Sequence, residues 1–390
     1  MNEPGNPLRT VPEPASVHLD LAAVLSHPLG LSIHDLDFVP DMLGEGYEHT
    51  TVYLGDDPDG ETPGVPVVCT VIRHRPAGVD PGKFASRPAL LFVHGMTDYF
   101  FQTHVAEHFT ARGYAVYGID LRKCGRSHRP GQTWHHVTSQ SVYDEDLSVA
   151  VSLLGAGHPY VIPVGHSTGG LDVTMFVSRL HAASRRGDPA RETLYRSVAA
   201  VVLNSPWLDL QFNALTNAVI RSVFPVVSRH APTLPVPGGI DPTYGRTLHV
   251  SEFGEWDYDR RFKPLRPRSK QVSWLVGVAR EIGRLQSGGF STGVPTLLVC
   301  SDADGSGRSV DDGSGVKVPA PEAFRSDTVL KPSQMRRAAR LVDPGCVVVT
   351  VPGAVHDVFL SREDARDAAF AAVDRFLAQV VASRGGAGAN

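Results

Sequence analysis

The sequence predicts an α/β fold in which helices cover both faces of a mostly parallel sheet. From residue 88 onward, short apolar runs typical of strands alternate with amphipathic stretches of helical period. The apolar runs are nearly continuous, which indicates strands that are buried on both faces. The chain has 390 residues, 42% hydrophobic and 20% charged, which suffices for one large α/β domain and excludes a wholly disordered protein.

Two strand-like runs precede the regular alternation and six belong to it. The early pair, Thr50–Leu54 and Val65–Val71, is separated by the turn-rich segment DDPDGETPG. The runs expected in the parallel sheet are Ala89–His94, Ala115–Asp120, Val161–His166, Ala199–Asn204, Pro295–Ser301 and Cys346–Val351. The stretches expected as helices are Thr103–Arg112, Gln140–Leu154, Leu171–His181, Met335–Leu341 and Arg362–Ala382.

The alternation is interrupted between the strand ending at Asn204 and the strand beginning at Pro295. The interval contains helix-like pieces around a middle that is rich in proline, glycine and charge. An insertion at the carboxyl edge of a parallel sheet would lie over the ligand site. We therefore predict an N-terminal extension over residues 1–48, a core formed by residues 49–210 and 292–390, and a helical cap (lid) over residues 211–291.

The charge balance and the cysteine content limit the kinds of partner and the cell compartment that we expect for this protein. Lys and Arg total 37 against 41 Asp and Glu, a formal net charge of -4, which argues against a nucleic-acid partner. Four cysteines (Cys69, Cys124, Cys300, Cys346) are widely spaced and fit reduced thiols. We find neither a signal-like apolar region near the start nor an apolar run of membrane-spanning length. We therefore expect a cytoplasmic protein without stable membrane insertion, as a monomer or homodimer.

The strongest catalytic signal is the segment Gly165-His166-Ser167-Thr168-Gly169. It ends an apolar strand and begins a helix, the setting that a nucleophile elbow requires. There the serine lies on a sharp, strained turn, and small neighbours let strand and helix approach each other. The helix N-terminus adds positive potential for a developing anion. The pattern predicts that Ser167 is a nucleophile.

A second signal is His94-Gly95-Met96, at the end of the strand ALLFVH. An oxyanion hole needs two backbone N–H groups directed at one point. We predict that these are the N–H of Met96 and the N–H of Thr168, the residue after the nucleophile. His94 could be a base, but a histidine at such a turn is more often structural.

The third signal is Gly353-Ala354-Val355-His356-Asp357, directly after the last predicted strand. A histidine in that loop can reach back over the sheet edge to Ser167, so we predict that His356 is the general base. An ordinary surface histidine is the alternative.

On these residues the sequence resembles the α/β-hydrolase superfamily, and within it the monoacylglycerol lipase and lysophospholipase-like serine hydrolases. The resemblance runs from about Arg87 to Leu377 through HGMTDYF, RGYAVYGIDLRKCGRS, GHSTGG, VPTLLVCSDAD and GAVHD. It implies an α/β-hydrolase fold, the chain order Ser–Asp–His, and ester hydrolysis through an acyl-enzyme without metal or organic cofactor. The N-terminal extension and an enlarged loop after PTLLVCS depart from the family pattern.

The triad acid has three candidates. Asp302 and Asp304 end the strand PTLLVCS, and VPTLLVCSDAD resembles the family's strand-plus-acid segment with Asp304 in register. Asp327 comes later, but it is followed by an apolar pair, a proline and the helix-like SQMRRAARL, as in the family. An insertion between strand and acid turn would explain this arrangement. We therefore favour Asp327, with Asp304 and Asp302 as alternatives.

Three further features have simpler explanations that we prefer. The run Arg260–Lys270 holds six cations and could contact an anionic head group, but a solvated cap surface is the simpler interpretation. His135-His136 could be a metal pair, but no third ligand stands at zinc spacing, so we expect no metal site. The aromatic residues predicted in or beside the cap (Trp207, Phe212, Phe224, Trp256, Trp274) could line an acyl pocket, although each one alone is more simply explained by packing.

The sequence therefore predicts a serine esterase that acts on a small-molecule ester, acyl or lysophospholipid- and monoacylglycerol-like. One alternative uses the same three side chains for acyl transfer, lactonisation or amide and peptide cleavage. A further alternative is a hydrolase-fold binding protein without turnover, which the presence of serine, histidine and candidate acids disfavours.

Overall fold

A ten-stranded, mostly parallel sheet lies at the centre of the computed structural model, which describes residues 16–17, 19, 21–236, 241–305, 309–311, 313 and 317–386. The predicted N-terminal extension therefore lies partly outside the described residues. The strands are β1 (Ser16–Val17), β2 (Val39–Pro40), β3 (Tyr47–Tyr53), β4 (Val68–His74), β5 (Ala89–Val93), β6 (Ala115–Asp120), β7 (Val161–His166), β8 (Val201–Asn204), β9 (Thr296–Ser301), β10 (Ser309–Asp311), β11 (Lys317–Pro319) and β12 (Val347–Val351).

Twelve α-helices lie in the described part of the chain. They are α1 (Leu21–Ser26), α2 (Pro81–Ala85), α3 (Thr103–Ala111), α4 (Tyr143–Gly157), α5 (Thr168–Arg185), α6 (Pro189–Ser197), α7 (Ala214–Ser222), α8 (Phe224–His230), α9 (Thr243–Leu248), α10 (Val272–Gln286), α11 (Pro332–Val342) and α12 (Glu363–Gly386).

The sheet order is β1-β3-β4-β6-β5-β7-β8-β9-β12, with β2 also paired to β3. The strands from β6 through β5 to β12 are mutually parallel, whereas β2, β3 and β4 contribute the antiparallel pairings. Strands β10 and β11 form a separate antiparallel pair. Parallel strands end at one edge of the sheet, so the segments after β5, β7, β9 and β12 meet there.

Helices cover the two faces of the sheet and bury two separate hydrophobic clusters. One cluster joins α4, α5, α10 and α11 to the sheet through residues such as Leu153, Met175 and Leu275. The other joins α3 and α12 to the opposite face through residues such as Phe109 and Val373. Neighbouring residues of one strand serve opposite faces, because Leu91 belongs to the first cluster and Leu90 to the second. The predicted fold class, an α/β sheet covered on both faces, is confirmed.

The segment between β8 and β9 contains helices α7, α8, α9 and α10. Helix α10 packs on the core, since Leu275, Val278 and Ile282 are buried in the same cluster as Met175 of α5. The middle of the segment lies over the carboxyl edge of the sheet, where Tyr244 and Lys263 line a pocket together with Ser167.

Candidate active site

Ser167 lies in the turn between β7 and α5, with φ 55° and ψ -119°. A left-handed backbone is strained for a residue with a side chain, and here the close approach of strand and helix maintains it. A Cβ at Gly165 would lie 2.6 Å from the carbonyl oxygen of Gly169, and a Cβ at Gly169 would lie 2.3 Å from the carbonyl oxygen of His94. Only glycine fits at these two positions. The sequence GHSTG therefore forms the turn that presents the serine hydroxyl at the sheet edge.

Three predicted residues from three separate loops form a continuous hydrogen-bonded series. The Oγ of Ser167 lies 3.0 Å from Nε2 of His356. The Nδ1 of His356 lies 2.8 Å from Oδ2 of Asp327. All three residues are buried. Because the carboxylate can only accept hydrogen bonds, Nδ1 of His356 carries the proton. Nε2 is then free to take the proton of the serine hydroxyl.

The carboxylate of Asp327 is held in place by its own turn. Its Oδ1 accepts hydrogen bonds from the N–H groups of Val329 and Leu330, both at 2.8 Å. The Oδ2 atom therefore faces His356. Of the other two candidates, Asp302 accepts a bond from the N–H of Gly353 at 3.1 Å, and Asp304 is exposed. The structure places neither of them against His356.

The loop after β5 brings the Met96 amide beside the serine. A Cβ at Gly95 would lie 2.8 Å from Cβ of Ser167, so only glycine lets the loop approach this closely. In the described part of the chain, the Met96 N–H makes no hydrogen bond. The N–H of Thr168 lies in the first turn of α5, where amides have no intrahelical acceptor. The two predicted oxyanion donors thus flank Ser167.

His94 acts on this loop in a way that the sequence did not reveal. Its Nε2 accepts a hydrogen bond from the N–H of Leu121 at 3.1 Å, and its Nδ1 donates to the carbonyl of Gly95 at 2.8 Å. The Gly95 carbonyl and the Met96 N–H belong to one planar peptide, so fixing the carbonyl also fixes the direction of the N–H. His94 is thus structural, as expected, and it orients the Met96 amide.

A second acid supports the loop that carries His356. The Oδ1 of Asp357 accepts from Nδ2 of Asn204 at 2.6 Å and from the N–H of Phe359 at 3.0 Å. Burial disfavours its charge, but the hydrogen bonds from Asn204 and Phe359 and the charge of Lys263 hold the pKa of Asp357 below its ordinary value. The Asp357 N–H donates to the hydroxyl of Tyr244 at 3.0 Å, which joins the segment between β8 and β9 to this loop.

The imidazole of His166 lies beside that of His356, with 4.8 Å between the ring centroids. Burial lowers the pKa of His166 to about 4, so this ring is neutral at neutral pH. A neutral neighbour does not oppose the positive charge that His356 would gain as a base.

A pocket that is partly open to solvent leads to Ser167 and His356. Met96 and Val329 line it from the core, and Tyr244 lines it from the segment between β8 and β9. Lys263 of that segment is buried and pairs with Asp98, which lies two residues after Met96. A charged contact thus ties the loop of the Met96 amide to the residues above it.

The basic run is less exposed than a solvated surface would be. Lys263 and Lys270 are buried, whereas Arg260, Arg261 and Arg266 are exposed. The expectation of a solvated face is therefore wrong for these two lysines, because local sequence does not reveal which cations of the run turn inward.

The two adjacent histidines have different surroundings. His136 contacts the hydroxyl of Ser273 through Nε2 at 2.9 Å, and His135 is buried separately. Within the described residues, no group of three or more His, Cys, Asp or Glu side chains is arranged to hold a metal ion.

The described helices also include none with the length and apolarity needed to span a membrane.

Comparisons with known proteins agree with this architecture. A family model described as serine aminopeptidase, S33, matches residues 85–309. A monoglyceride lipase from Saccharomyces cerevisiae is similar in structure, with 15% identity and a TM-score of 0.55 over 80% of this chain and 93% of that one. A monoacylglycerol lipase from Paleococcus ferrophilus has 19% identity and a TM-score of 0.52 over 75% of this chain and 96% of that one. Among curated proteins, none matches the chain.

Proposed function

Because the chain belongs to the serine aminopeptidase S33 family and has the α/β-hydrolase fold, we propose that it cleaves carboxylic esters through an acyl-enzyme. The observation that carries this proposal is the series from Ser167 Oγ through His356 to Asp327, with distances of 3.0 and 2.8 Å. Nucleophile, base and orienting acid stand in the order that acyl transfer requires.

In the first half-reaction, Ser167 Oγ attacks the ester carbonyl carbon while His356 Nε2 takes the hydroxyl proton. The C–O bond to the alcohol then breaks, and His356 returns the proton to the departing oxygen. Asp327 holds the imidazole tautomer and stabilises the imidazolium without taking the proton. The products are an acyl-serine and the free alcohol.

In the second half-reaction, water attacks the acyl carbon and gives its proton to His356. The bond to Ser167 Oγ breaks, the serine regains a proton from His356, and the acid leaves. The negative oxygen of both tetrahedral intermediates faces the N–H groups of Met96 and Thr168. Each such donor contributes about 3–4 kcal/mol in comparable sites.

We propose further that residues 211–291 act as a cap that shapes substrate choice. Tyr244 and Lys263 of this segment line the pocket at Ser167. The solved structures similar to this chain include monoglyceride lipases, which supports acyl esters, monoacylglycerol- or lysophospholipid-like among them, as the class to test first.

Amide cleavage is the second candidate, because the matching family is described as a serine aminopeptidase. An aminopeptidase needs an acid near the nucleophile to bind the free amino group of its substrate. Asp98 lines the pocket, but Lys263 neutralises it. Asp241, also in the pocket lining, is exposed and accepts from the N–H of Thr243 at 2.7 Å. This arrangement favours an ester over a peptide as the substrate.

The test is a series of p-nitrophenyl esters of rising chain length, run beside aminoacyl p-nitroanilides. We expect turnover of the esters and little turnover of the anilides, with Ser167→Ala inactive on both. Faster anilide cleavage would favour the peptidase. Absence of all turnover, with Ser167 unlabelled by a fluorophosphonate, would favour the binding protein.

A further inference from the structure

Thr97, which follows the oxyanion donor Met96, has a strained backbone conformation. Its φ is 56°, in the left-handed region that β-branched residues rarely adopt. Thr97 is 4% exposed and lines the pocket that contains Ser167 and His356. Strain of this kind persists only where surrounding contacts maintain it, so contacts at the oxyanion loop must hold Thr97 in this conformation.

The main chain around Thr97 does not provide these contacts. In the part of the chain that the structure describes, Met96, Thr97 and Asp98 make no backbone–backbone hydrogen bond. The Oγ1 hydroxyl of Thr97 also has no hydrogen-bond partner among the described residues. The conformation must therefore be maintained from the two ends of this three-residue segment. At the first end, the carbonyl of Gly95 accepts the hydrogen bond from His94 at 2.8 Å.

The other end is held through the side chain of Asp98. Its Oδ1 accepts a hydrogen bond from the N–H of Tyr99 at 2.9 Å. Its Oδ2 pairs with Nζ of Lys263, which belongs to the segment between β8 and β9. Both members of this ion pair are buried. Separating them would leave two unpaired charges in the interior, so the pair fixes the position of Asp98.

The ammonium group of Lys263 is itself held in place. Three aromatic rings surround its Nζ, at centroid distances of 5.4 Å (Phe101), 5.7 Å (Tyr244) and 5.8 Å (Tyr258). These distances lie within the range of cation–π attraction. The backbone N–H of Lys263 donates to the carbonyl of Asp259 at 3.0 Å. Lys263 can therefore hold the carboxylate with which it pairs.

We propose that Lys263 is a positioning residue for the oxyanion hole. Through Asp98 it maintains the strained backbone of Thr97, and with it the direction of the Met96 N–H. Without the ion pair, Thr97 relaxes to a negative φ, and the rotation of the chain there turns the Met96 N–H away from the oxyanion. This inference rests on the proposed ester hydrolysis. It gives the segment between β8 and β9 a part in the chemical step as well as in substrate choice.

The first experiment removes the ammonium group. Lys263→Met should lower kcat on a p-nitrophenyl ester about 10- to 100-fold with little change in KM, because an oxyanion donor acts mainly in the transition state. Affinity for a trifluoromethyl ketone should fall in parallel with kcat/KM. Arg266→Met, which removes an exposed cation three residues later, is the matched control and should leave kcat and the ketone affinity unchanged.

The second experiment adds Thr97→Gly to Lys263→Met. Glycine adopts the left-handed backbone without strain, so the loop no longer depends on the ion pair to stay in this conformation. We expect kcat of the double variant to exceed that of Lys263→Met by about tenfold, with a parallel recovery of the ketone affinity. If Lys263 served only folding or substrate binding, glycine at position 97 would restore nothing. The inference is overturned if there is no recovery, or if Lys263→Met leaves kcat unchanged.

A variant without either charge covers the case in which Lys263→Met does not fold. Asp98→Asn/Lys263→Met leaves no unpaired charge in the interior. It should show the same loss of kcat and the same recovery on addition of Thr97→Gly, and the same two outcomes would overturn the inference.

A structural measurement separates this inference from the proposed function. If the wild type cleaves no ester, the proposed function fails, and crystal structures of the wild type and of Asp98→Asn/Lys263→Met decide the inference. We expect a positive φ at Thr97 in the wild type and a negative φ in the variant. A positive φ in both, or a negative φ in both, would overturn the role of Lys263.

Discussion

Asp304 and Asp327 lie side by side in a short parallel bridge, although residues 305–326 separate them in the chain. The Asp327 N–H donates to the carbonyl of Ala303 at 3.0 Å, and the Gly305 N–H donates to the carbonyl of Asp327 at 2.8 Å. The chain therefore leaves the sheet edge after β9 and returns to the same point. The segment between them, which contains β10 and β11, displaces the acid in sequence while keeping it near His356.

This arrangement makes Asp327 the acid to test. Asp327→Asn should lower kcat by roughly three to four orders of magnitude, because an amide can stabilise neither the required tautomer nor the imidazolium of His356. Steady-state kinetics on a p-nitrophenyl ester measures the change. Asp304→Asn is the matched control, with an expected change of less than about threefold. A large loss for Asp304→Asn and a small loss for Asp327→Asn would refute the assignment.

The second prediction concerns His94 as a positioning residue. His94→Phe removes both ring nitrogens, so the Gly95–Met96 peptide is no longer held. We expect kcat to fall about 10- to 100-fold with little change in KM, because an oxyanion donor acts mainly in the transition state. Affinity for a trifluoromethyl ketone should fall in parallel with kcat/KM. His181→Phe, whose ring bonds the carbonyl of Ser291 at 3.1 Å, is the control. An unchanged ketone affinity in His94→Phe would contradict this role.

The third prediction concerns the buried ion pairs that Arg126 forms. Arg126 contacts Asp41 and Asp120, both at 2.8 Å, and donates to the carbonyl of Phe100 at 3.1 Å. Although burial opposes its charge, the guanidinium holds the pKa of Asp41 well below its usual range. Arg126→Met leaves two carboxylates buried without their partner and should lower the free energy of unfolding by about 3–5 kcal/mol.

Denaturant unfolding measures that effect, and an exposed pair serves for comparison. Arg112→Met removes a side chain that is 46% exposed and pairs with Asp374 at 2.9 Å. It should cost less than about 1 kcal/mol. If the free energy of unfolding fell equally in Arg126→Met and Arg112→Met, burial would not make the Arg126 pairs more important for stability than the exposed Arg112 pair.

The fourth prediction is that burial of His158 makes the free energy of unfolding fall as the pH drops below neutral. Its Nδ1 donates to the carbonyl of Arg87 at 2.9 Å, and its Nε2 accepts from the hydroxyl of Tyr117 at 2.8 Å. Burial lowers the pKa of His158 from 6.5 to about 4. Between these values the unfolded chain binds a proton that the folded chain does not, so this stabilisation is full above pH 6.5 and falls as the pH drops toward 4.

The shift corresponds to up to about 3 kcal/mol. The free energy of unfolding of His158→Gln should therefore fall less steeply than that of the wild type between neutral pH and pH 4. His230→Gln removes an exposed histidine and should follow the wild-type curve. Parallel curves for all three proteins would show that His158 does not contribute.

The sequence predicted the sheet better than the helices around it. The bounds of β6 and β7 agree with the predicted runs, since each is a continuous apolar strand that ends at a turn. Helix α6 was missed because PARETLYRS is mostly polar. Its signal was available at the start, where the Asp188 side chain accepts from the N–H of Arg191 and a proline follows in the first turn.

Some site residues could be predicted from their neighbours in the sequence, whereas others depend on contacts between distant parts of the chain. Ser167 and His356 stand in short motifs that follow strands, so their neighbours in the chain were sufficient to suggest them. Asp327 required a resemblance, because the bridge to Asp304 joins distant parts of the chain. The inward position of Lys270 depends on packing against Trp274. No local pattern in RRFKPLRPRSK distinguishes it from the exposed cations.

The intact mass of the protein during turnover tests the proposed acyl-enzyme directly. Acid quenching of the wild type with p-nitrophenyl acetate should yield an acetylated species, with the label mapped to Ser167 and a burst of p-nitrophenolate stoichiometric with enzyme. Ser167→Ala should show neither the burst nor the label. An unmodified protein throughout turnover, a label on another residue, or Ser167→Ala activity above about a tenth of wild type would contradict the account.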